Sequence, residues 1–79
     1  MEIREGSVVI AKAGRDKGKA FAVVDVIDRR TVFIADGKSR PLERPKRKNI
    51  IHLQATAATV DCNTTNRHLR IFLNSFTGG

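Results

Sequence analysis

The chain has 79 residues, enough for one small domain, and carries 15 Lys and Arg against 8 Asp and Glu, a net charge of +7. A hydrophobic fraction of 41% predicts a folded domain rather than a disordered one. The only cysteine, Cys62, excludes an internal disulfide framework. The first six residues lack the apolar core of a signal peptide, and no apolar run reaches the roughly 18 to 20 residues of a membrane span. We therefore expect a soluble, basic protein of the cytoplasm.

The first half of the chain predicts short β-strands. Val8 and Ile10 belong to a β-branched stretch, and residues 31–35 are again β-branched. Residues 20–27 form an apolar run typical of a strand that is buried on both faces or curves through a small barrel. Strands this short, with turn signals between them and no intervening helix, are typical of a small antiparallel barrel.

The segment after the third strand predicts a turn and then a more restricted backbone. Asp36-Gly37 is a favoured dipeptide for a tight type I′ hairpin. Pro41 and Pro45 limit the following residues to an edge strand or an extended loop, because proline cannot donate a ladder hydrogen bond. Residues 50–53 predict one more short strand.

The C-terminal third has a helical pattern. Leu69, Phe72, Leu73 and Phe76 stand at i, i+3, i+4 and i+7 and predict an amphipathic helix over residues 65–76. An alternation of apolar residues from 69 to 73 leaves a strand as the competing interpretation. We expect both phenylalanines to join the core, with the helix packed over one open end of the barrel.

The ends of this helix and the division of the chain follow from nearby residues. Thr64 or Thr65 is suited to cap its start, and Gly78 to end it. The predicted architecture is a barrel domain over residues 1–56 and a C-terminal extension over residues 57–79.

The positive charge is concentrated in one part of the sequence. Residues 38–48 hold six basic side chains and one acidic side chain, so they contribute +5 of the total of +7. Such a segment is either a solvated face or a binding surface, and its self-repulsion favours a surface that an anion neutralises.

Two glycines bracket a second basic segment. Gly14 and Gly18 enclose Arg15 and Lys17, with Lys19 immediately after them. A tight loop of this kind is predicted to present cations and backbone N–H groups to phosphates. A nucleotide-binding P-loop is excluded, because only three residues separate the glycines and Ala follows the lysine.

Residues Glu5 to Thr31 resemble the KOW motif, a β–loop–β unit of ribosomal proteins and transcription elongation factors. Its glycines, the Gly18-Lys19 pair and the Val-Val-Asp-Val-Ile run that follows are present here. With the later segment Pro-Lys-Arg-Lys-Asn-Ile-Ile-His-Leu at residues 45–53, the sequence resembles the fourteen-e family of large-subunit ribosomal proteins. The resemblance covers residues 5–53, and Phe21 departs from it, since many KOW motifs have a small residue there. It implies a mainly β, SH3-like barrel that binds structured ribosomal RNA.

The predicted interface consists of basic and polar side chains from both segments. Gly14 and Gly18 shape the loop, and the residues expected to contact RNA are Lys12, Arg15, Lys17, Lys19, Lys38, Arg40, Arg44, Lys46, Arg47, Lys48, Asn49 and His52. Four Phe and no Trp or Tyr leave few aromatic rings for base stacking. Recognition is therefore expected through phosphates, 2′-hydroxyls and shape.

The sequence fits other functions less well than binding of ribosomal RNA. Cys62 and His68 lack a second pair of zinc ligands, and no catalytic constellation is present, so we expect no enzyme activity, cofactor or metal. A transcription-elongation-type module that contacts RNA polymerase and nascent RNA is the alternative RNA-binding function. A barrel that binds Pro-rich peptides is disfavoured, because such grooves are lined by aromatic residues. The expected partners are ribosomal RNA and ribosomal proteins, with no membrane or small-molecule substrate.

Overall fold

A single antiparallel sheet of five strands and one helix account for the regular structure in the computed structural model, which describes residues 2–61 and 63–76. The order in the sheet is β4-β3-β2-β1-β5. The elements are β1 (Ser7–Ala11), β2 (Ala20–Val26), β3 (Thr31–Ala35), β4 (Lys46–Asn49), β5 (Leu53–Thr59) and α1 (Asn66–Phe76). The predicted mainly β fold with a C-terminal helix is confirmed.

A short 3₁₀ turn, residues 50–52, joins the two edge strands β4 and β5. The N–H of Ile50 donates to the carbonyl of Arg30 beside β3 (2.8 Å), and the N–H of Lys12 beside β1 donates to the carbonyl of His52 (2.8 Å). One short turn thus bonds residues near the two opposite edges of the sheet. The sheet must therefore curl on itself, as in an SH3-like barrel. The strand predicted over residues 50–53 is wrong except at its last residue, since the Asn49 side chain accepts the Ile51 N–H (3.0 Å) and initiates the turn.

Two other strands differ from their predicted extent. β2 is buried only over residues 20–23 and then becomes exposed, because a bulge between Val23 and Asp25 shifts its pairing with β3. β5 continues to Thr59, which pairs with Ser7 of β1, and so extends past the predicted domain boundary at residue 56.

Side-chain alternation divides the buried residues between the two faces of the sheet. The inner face carries the larger residues, including Phe21, and the outer face carries small ones. The inner cluster is Val9, Ala11, Phe21, Val23, Val32, Ile34 and Leu53, and the outer cluster is Val8, Ala20, Ala22 and Ala35 with Leu69 and Leu73 from the helix.

The helix packs on the outer face of the sheet rather than over an open end of the barrel. Leu69 and Leu73 are buried there, whereas Phe72 and Phe76 are each 38% exposed and stack on each other with ring centroids 6.5 Å apart. The predicted burial of both phenylalanines is therefore wrong, because the alanine-rich face of the sheet accepts the leucine stripe. The helical periodicity itself is confirmed, and no helix among the described residues is long and apolar enough to cross a membrane.

The predicted cap of the helix is confirmed at Thr65. Its Oγ1 accepts the N–H of His68 (3.2 Å), and its carbonyl accepts the N–H of Leu69 (2.9 Å). Thr65 is thus the residue before the first helical turn, so the helix begins at Asn66. The predicted end at Gly78 lies outside the described residues.

The segment between β3 and β4 is a loop rather than a tight hairpin. β4 begins only at Lys46, and a type I′ turn would need positive φ at Asp36, whereas the positive φ angles of the described residues all belong to glycine. Instead, Asp36 Oδ1 accepts the N–H groups of Lys38 and Arg40 (2.8 Å each). β4 is an edge strand, as the preceding prolines predict.

This loop holds the first turn of the helix. Gly37, buried with φ of +79°, lies so close to the helix that a Cβ there would overlap the carbonyl of Asn66 and lie 3.1 Å from the backbone nitrogen of Arg70. The Asn66 side chain accepts the N–H of Leu42 (2.7 Å) and donates to the carboxylate of Glu43. Helix and loop therefore position each other.

We expect Gly37→Ala to lower the free energy of unfolding by about 2–4 kcal/mol, because it combines a left-handed backbone with a clash against the helix. Gly18→Ala is the matched control: Gly18 has φ of +88°, but a Cβ added there would have no atom within 4 Å. That control should lose only the backbone contribution, about 1 kcal/mol. Urea denaturation measures both, and equal losses would contradict the close packing at Gly37.

Candidate nucleic-acid interface

The loop between β1 and β2 is closed by its own backbone. Gly14 and Gly18 have φ of +81° and +88°, which lets the chain turn sharply at both ends. The N–H of Gly18 donates to Ala11 (2.9 Å), the N–H of Ala11 to Lys19 (3.0 Å), and the N–H of Lys17 to Gly14 (3.2 Å). The expectation that this loop offers its N–H groups to a ligand is therefore wrong for Lys17 and Gly18, whose N–H groups close the turn.

The side chains of the loop remain available to a partner. Its four basic residues are all exposed: Lys12, Arg15, Lys17 and Lys19. The loop thus presents flexible cations from a fixed backbone, an arrangement suited to phosphate oxygens.

Strand β4 lies beside this loop. The carboxylate of Asp16 is 3.9 Å from Nζ of Lys46 in β4 and 3.7 Å from Nζ of Lys19. Nζ of Lys48 lies 4.0 Å from the position that a Cβ of Gly14 would occupy. The structure therefore brings two of the predicted basic side chains of β4 together with the loop, and we call residues 12–19 with Lys46 and Lys48 the loop–strand surface.

Arg47 lies on the other face of β4. Lys46 and Lys48 pair with the buried residues Ile34 and Val32 of β3, whereas Arg47 pairs with Phe33, so alternation separates it from its neighbours. Its charge acts instead on Asp28, in the turn between β2 and β3. Arg47 is therefore not part of the loop–strand surface.

The pKa of Asp28 is lowered from its ordinary value. The main cause is the hydrogen bond from the backbone N–H of Arg30 (2.8 Å). Desolvation opposes this bond and is the second-largest effect. The N–H of Thr31 (2.8 Å), the side chain of Thr31 and, least of all, the charge of Arg47 lower the pKa further. These contacts favour the carboxylate form and make Asp28 a turn-forming residue.

The two uncharged polar residues of the predicted interface, Asn49 at the end of β4 and His52 in the 3₁₀ turn, have different surroundings. The Asn49 side-chain oxygen is engaged in capping the 3₁₀ turn, so that its local role is structural. His52 is exposed at the end of the same turn, and its carbonyl accepts the N–H of Lys12. His52 thus lies at the border of the loop–strand surface.

The remaining predicted cations lie on the loop between β3 and β4. Lys38, Arg40 and Arg44 surround a shallow depression together with Ser39 and Pro41. They line this depression and not the contact between β4 and the β1–β2 loop, and we call this second basic group the turn surface.

A groove of about 220 Å³ connects the two surfaces. Lys19 of the loop–strand surface and Lys38 of the turn surface both line it, and Arg70 of the helix lines it as well. Arg70 is not among the residues that the sequence pattern predicted for the interface. Helical periodicity places residue 70 beside the Leu69 and Leu73 stripe, but the pattern does not show which loops lie next to it.

Metal ligation has no support among residues 2–61 and 63–76. No three or more His, Cys, Asp and Glu side chains of that part of the chain are grouped so that they could hold a metal ion. Cys62, considered above as a zinc ligand, lies outside the described residues.

Comparison with known proteins gives relatives among archaeal ribosomal proteins. The chain is 34% identical over 59 residues to the large ribosomal subunit protein eL14 of Metallosphaera sedula, covering 75% of this chain and 62% of the relative. For the eL14 proteins of Sulfolobus acidocaldarius and Pyrobaculum islandicum, identity is 31% over 61 residues and 36% over 56 residues. These matches cover 77% and 71% of this chain.

The chain spans less than two thirds of these relatives: 64% of the Sulfolobus protein and 54% of the Pyrobaculum protein. No protein-family model matches it. The similarity to the fourteen-e family that the sequence indicated is confirmed.

We expect the Asp28 carboxyl to titrate with a pKa below its ordinary value of 3.8. The contribution of this group to stability is then present above pH 3.8 and lost as the pH falls through the lower pKa of the folded state. Carboxyl-detected NMR titration measures it. Arg47→Gln should raise the pKa only part of the way, because the Arg30 N–H bond is the larger cause. An ordinary pKa in the unsubstituted protein would contradict the geometry of this turn.

Proposed function

Because the chain is similar to the large ribosomal subunit protein eL14 of several archaea, we propose that it is an RNA-binding protein of the large ribosomal subunit. In this proposal the ligand is folded ribosomal RNA, with ribosomal proteins as further partners, and the protein works in the cytoplasm without catalysing a reaction.

The observation that carries the proposal is the meeting of the glycine-bracketed loop with strand β4. Exposed Arg15 and Lys17 lie in the loop, and Lys46 and Lys48 reach the same surface from strand β4. Cations held on fixed backbone at several points match an array of phosphates, because phosphate contacts set the position of a protein on a nucleic acid.

Recognition of shape follows from the same side chains. The loop–strand surface offers ammonium and guanidinium groups and no aromatic side chain, so it is suited to phosphates and 2′-hydroxyls of folded RNA rather than to stacked single-stranded bases. Arg15 can bind a phosphate with two parallel N–H groups, and the lysines act as point charges.

Affinity for protein-free large-subunit ribosomal RNA should fall steeply with salt. If about five phosphates are engaged, the log–log slope lies at about −3.5 to −4.5, because each neutralised phosphate releases counterions. Filter binding over a range of KCl concentrations measures it. A slope near zero would rule out this electrostatic mode of binding.

Removal of one cation from each side of the surface tests its location. The double variant Lys17→Gln with Lys48→Gln should bind this RNA about tenfold or more weakly and reduce the slope by about 1.4 to 1.8, as expected for two phosphate contacts.

The matched control is Arg29→Gln with Arg67→Gln. Both residues are exposed, both lie outside the loop–strand surface, and the loss of charge is the same. We expect wild-type affinity within about twofold. Equal losses in the two double variants would mean that net charge alone, and not this surface, determines binding.

In sucrose gradients of cell extract, the tagged protein should migrate with large ribosomal subunits. A salt wash should release it, because its contacts with RNA are ionic. Migration with RNA polymerase instead would support the transcription-elongation-type function, and migration as a free monomer at low salt would contradict both.

A further inference from the structure

The groove between the sheet and the helix brings together cations from three separate parts of the chain. Lys19 comes from the end of the β1–β2 loop, Lys38 from the β3–β4 loop and Arg70 from the helix, and all three are exposed residues that line it. Such convergence is a property of the fold, since these residues are far apart in sequence.

The charge of the groove is positive in spite of one carboxylate. Asp36 also lines it, but its Oδ1 accepts two backbone N–H groups, those of Lys38 and Arg40, at 2.8 Å each. The lining residues carry three cations against this one internally bonded carboxylate. Asp16 lies 3.7 Å from Nζ of Lys19 and offsets part of that cation's charge, so Lys38 and Arg70 supply most of the positive charge that favours an anionic occupant.

The size of the groove limits that occupant. Its volume is about 220 Å³, below the range of about 300–1,000 Å³ typical of pockets for drug-sized ligands. A single phosphate group fits both the charge and the dimensions of the groove. The nucleic-acid backbone that carries it would enter the groove from one side and leave along the surface.

The groove has a fixed geometry on the helix side. The packing of Gly37 against the helix backbone and the bonds from Asn66 to the β3–β4 loop hold the first turn of the helix in place. The backbone nitrogen of Arg70 lies next to Gly37, so the guanidinium projects from an anchored position.

We propose that this groove binds one backbone phosphate of the RNA, held by Arg70 together with Lys19 and Lys38, so that the helix is part of the RNA-binding surface. This inference rests on the proposed function. It goes beyond it by adding a contact from the helix that links the loop–strand surface to the turn surface.

The test is Arg70→Gln, measured by filter binding to protein-free large-subunit ribosomal RNA across KCl concentrations. We expect affinity to fall about fivefold to tenfold and the salt slope to become shallower by about 0.7 to 0.9, the change for one phosphate. Arg67→Gln, on the same helix but outside the groove, should change neither quantity.

A second variant distinguishes a shared phosphate from a general effect of charge. Lys38→Gln should weaken binding by a similar factor. The double variant with Arg70→Gln should lose less than the product of the two single losses, because both side chains contact one group. Unfolding in urea checks that each variant keeps the stability of the wild type.

The outcomes separate the two levels of the proposal. If Arg70→Gln binds RNA like the wild type while the Lys17 and Lys48 variant is impaired, the groove is not a phosphate site and the RNA-binding function stands. If Arg70→Gln loses association with ribosomal particles but not with naked RNA, the groove binds an acidic protein surface and the inference is wrong. If the wild type itself shows no salt-dependent RNA binding, the proposed function and this inference both fail.

Discussion

The close contact between Gly37 and the first turn of the helix determines how the basic parts of this molecule are arranged. A left-handed glycine with no room for a side chain lets the β3–β4 loop lie against the helix backbone, and Asn66 then binds the same loop through Leu42 and Glu43. The loop that carries the turn surface is thus fixed to the helix that carries Arg70. The position of the turn surface relative to Arg70 therefore depends on this contact.

The division of charge in β4 illustrates how a strand distributes a basic run. Along the sequence, residues 38–48 look like one block of positive charge. In the fold, Lys46 and Lys48 turn toward the β1–β2 loop, whereas Arg47 lies on the opposite face and lowers the pKa of Asp28. The side-chain period of two therefore places Arg47 and its two neighbouring lysines on opposite faces of β4, with different neighbours.

Most features that depend on local pattern could be predicted from the sequence, with the turn at Asp36-Gly37 and the 3₁₀ turn as exceptions, and those that depend on tertiary packing could not. β-branched stretches predicted β1 and β3, the leucine and phenylalanine stripe predicted the helix, and glycine spacing indicated the loop at residues 14–18. The exposure of Phe72 was not predictable in this way, because the choice between the leucines and the phenylalanines depends on the small residues of the outer face. The contribution of Arg70 to the groove depends on the same docking of the helix. The 3₁₀ turn depends on one hydrogen bond accepted by the Asn49 side chain.

Asp16 has a consequence for the free protein. Held within 4 Å of both Lys19 and Lys46, its carboxylate acts as a built-in counterion at the centre of the most basic surface. The repulsion between the loop and the edge strand is relieved within the chain itself, so the two can assemble before any polyanion arrives. Under the proposed function, an incoming nucleic acid must compete with this carboxylate for the same lysines. Weakly or sparsely charged anions therefore gain less binding free energy from this surface than a dense phosphate array does. The Asp16 carboxylate thus disfavours the binding of such anions.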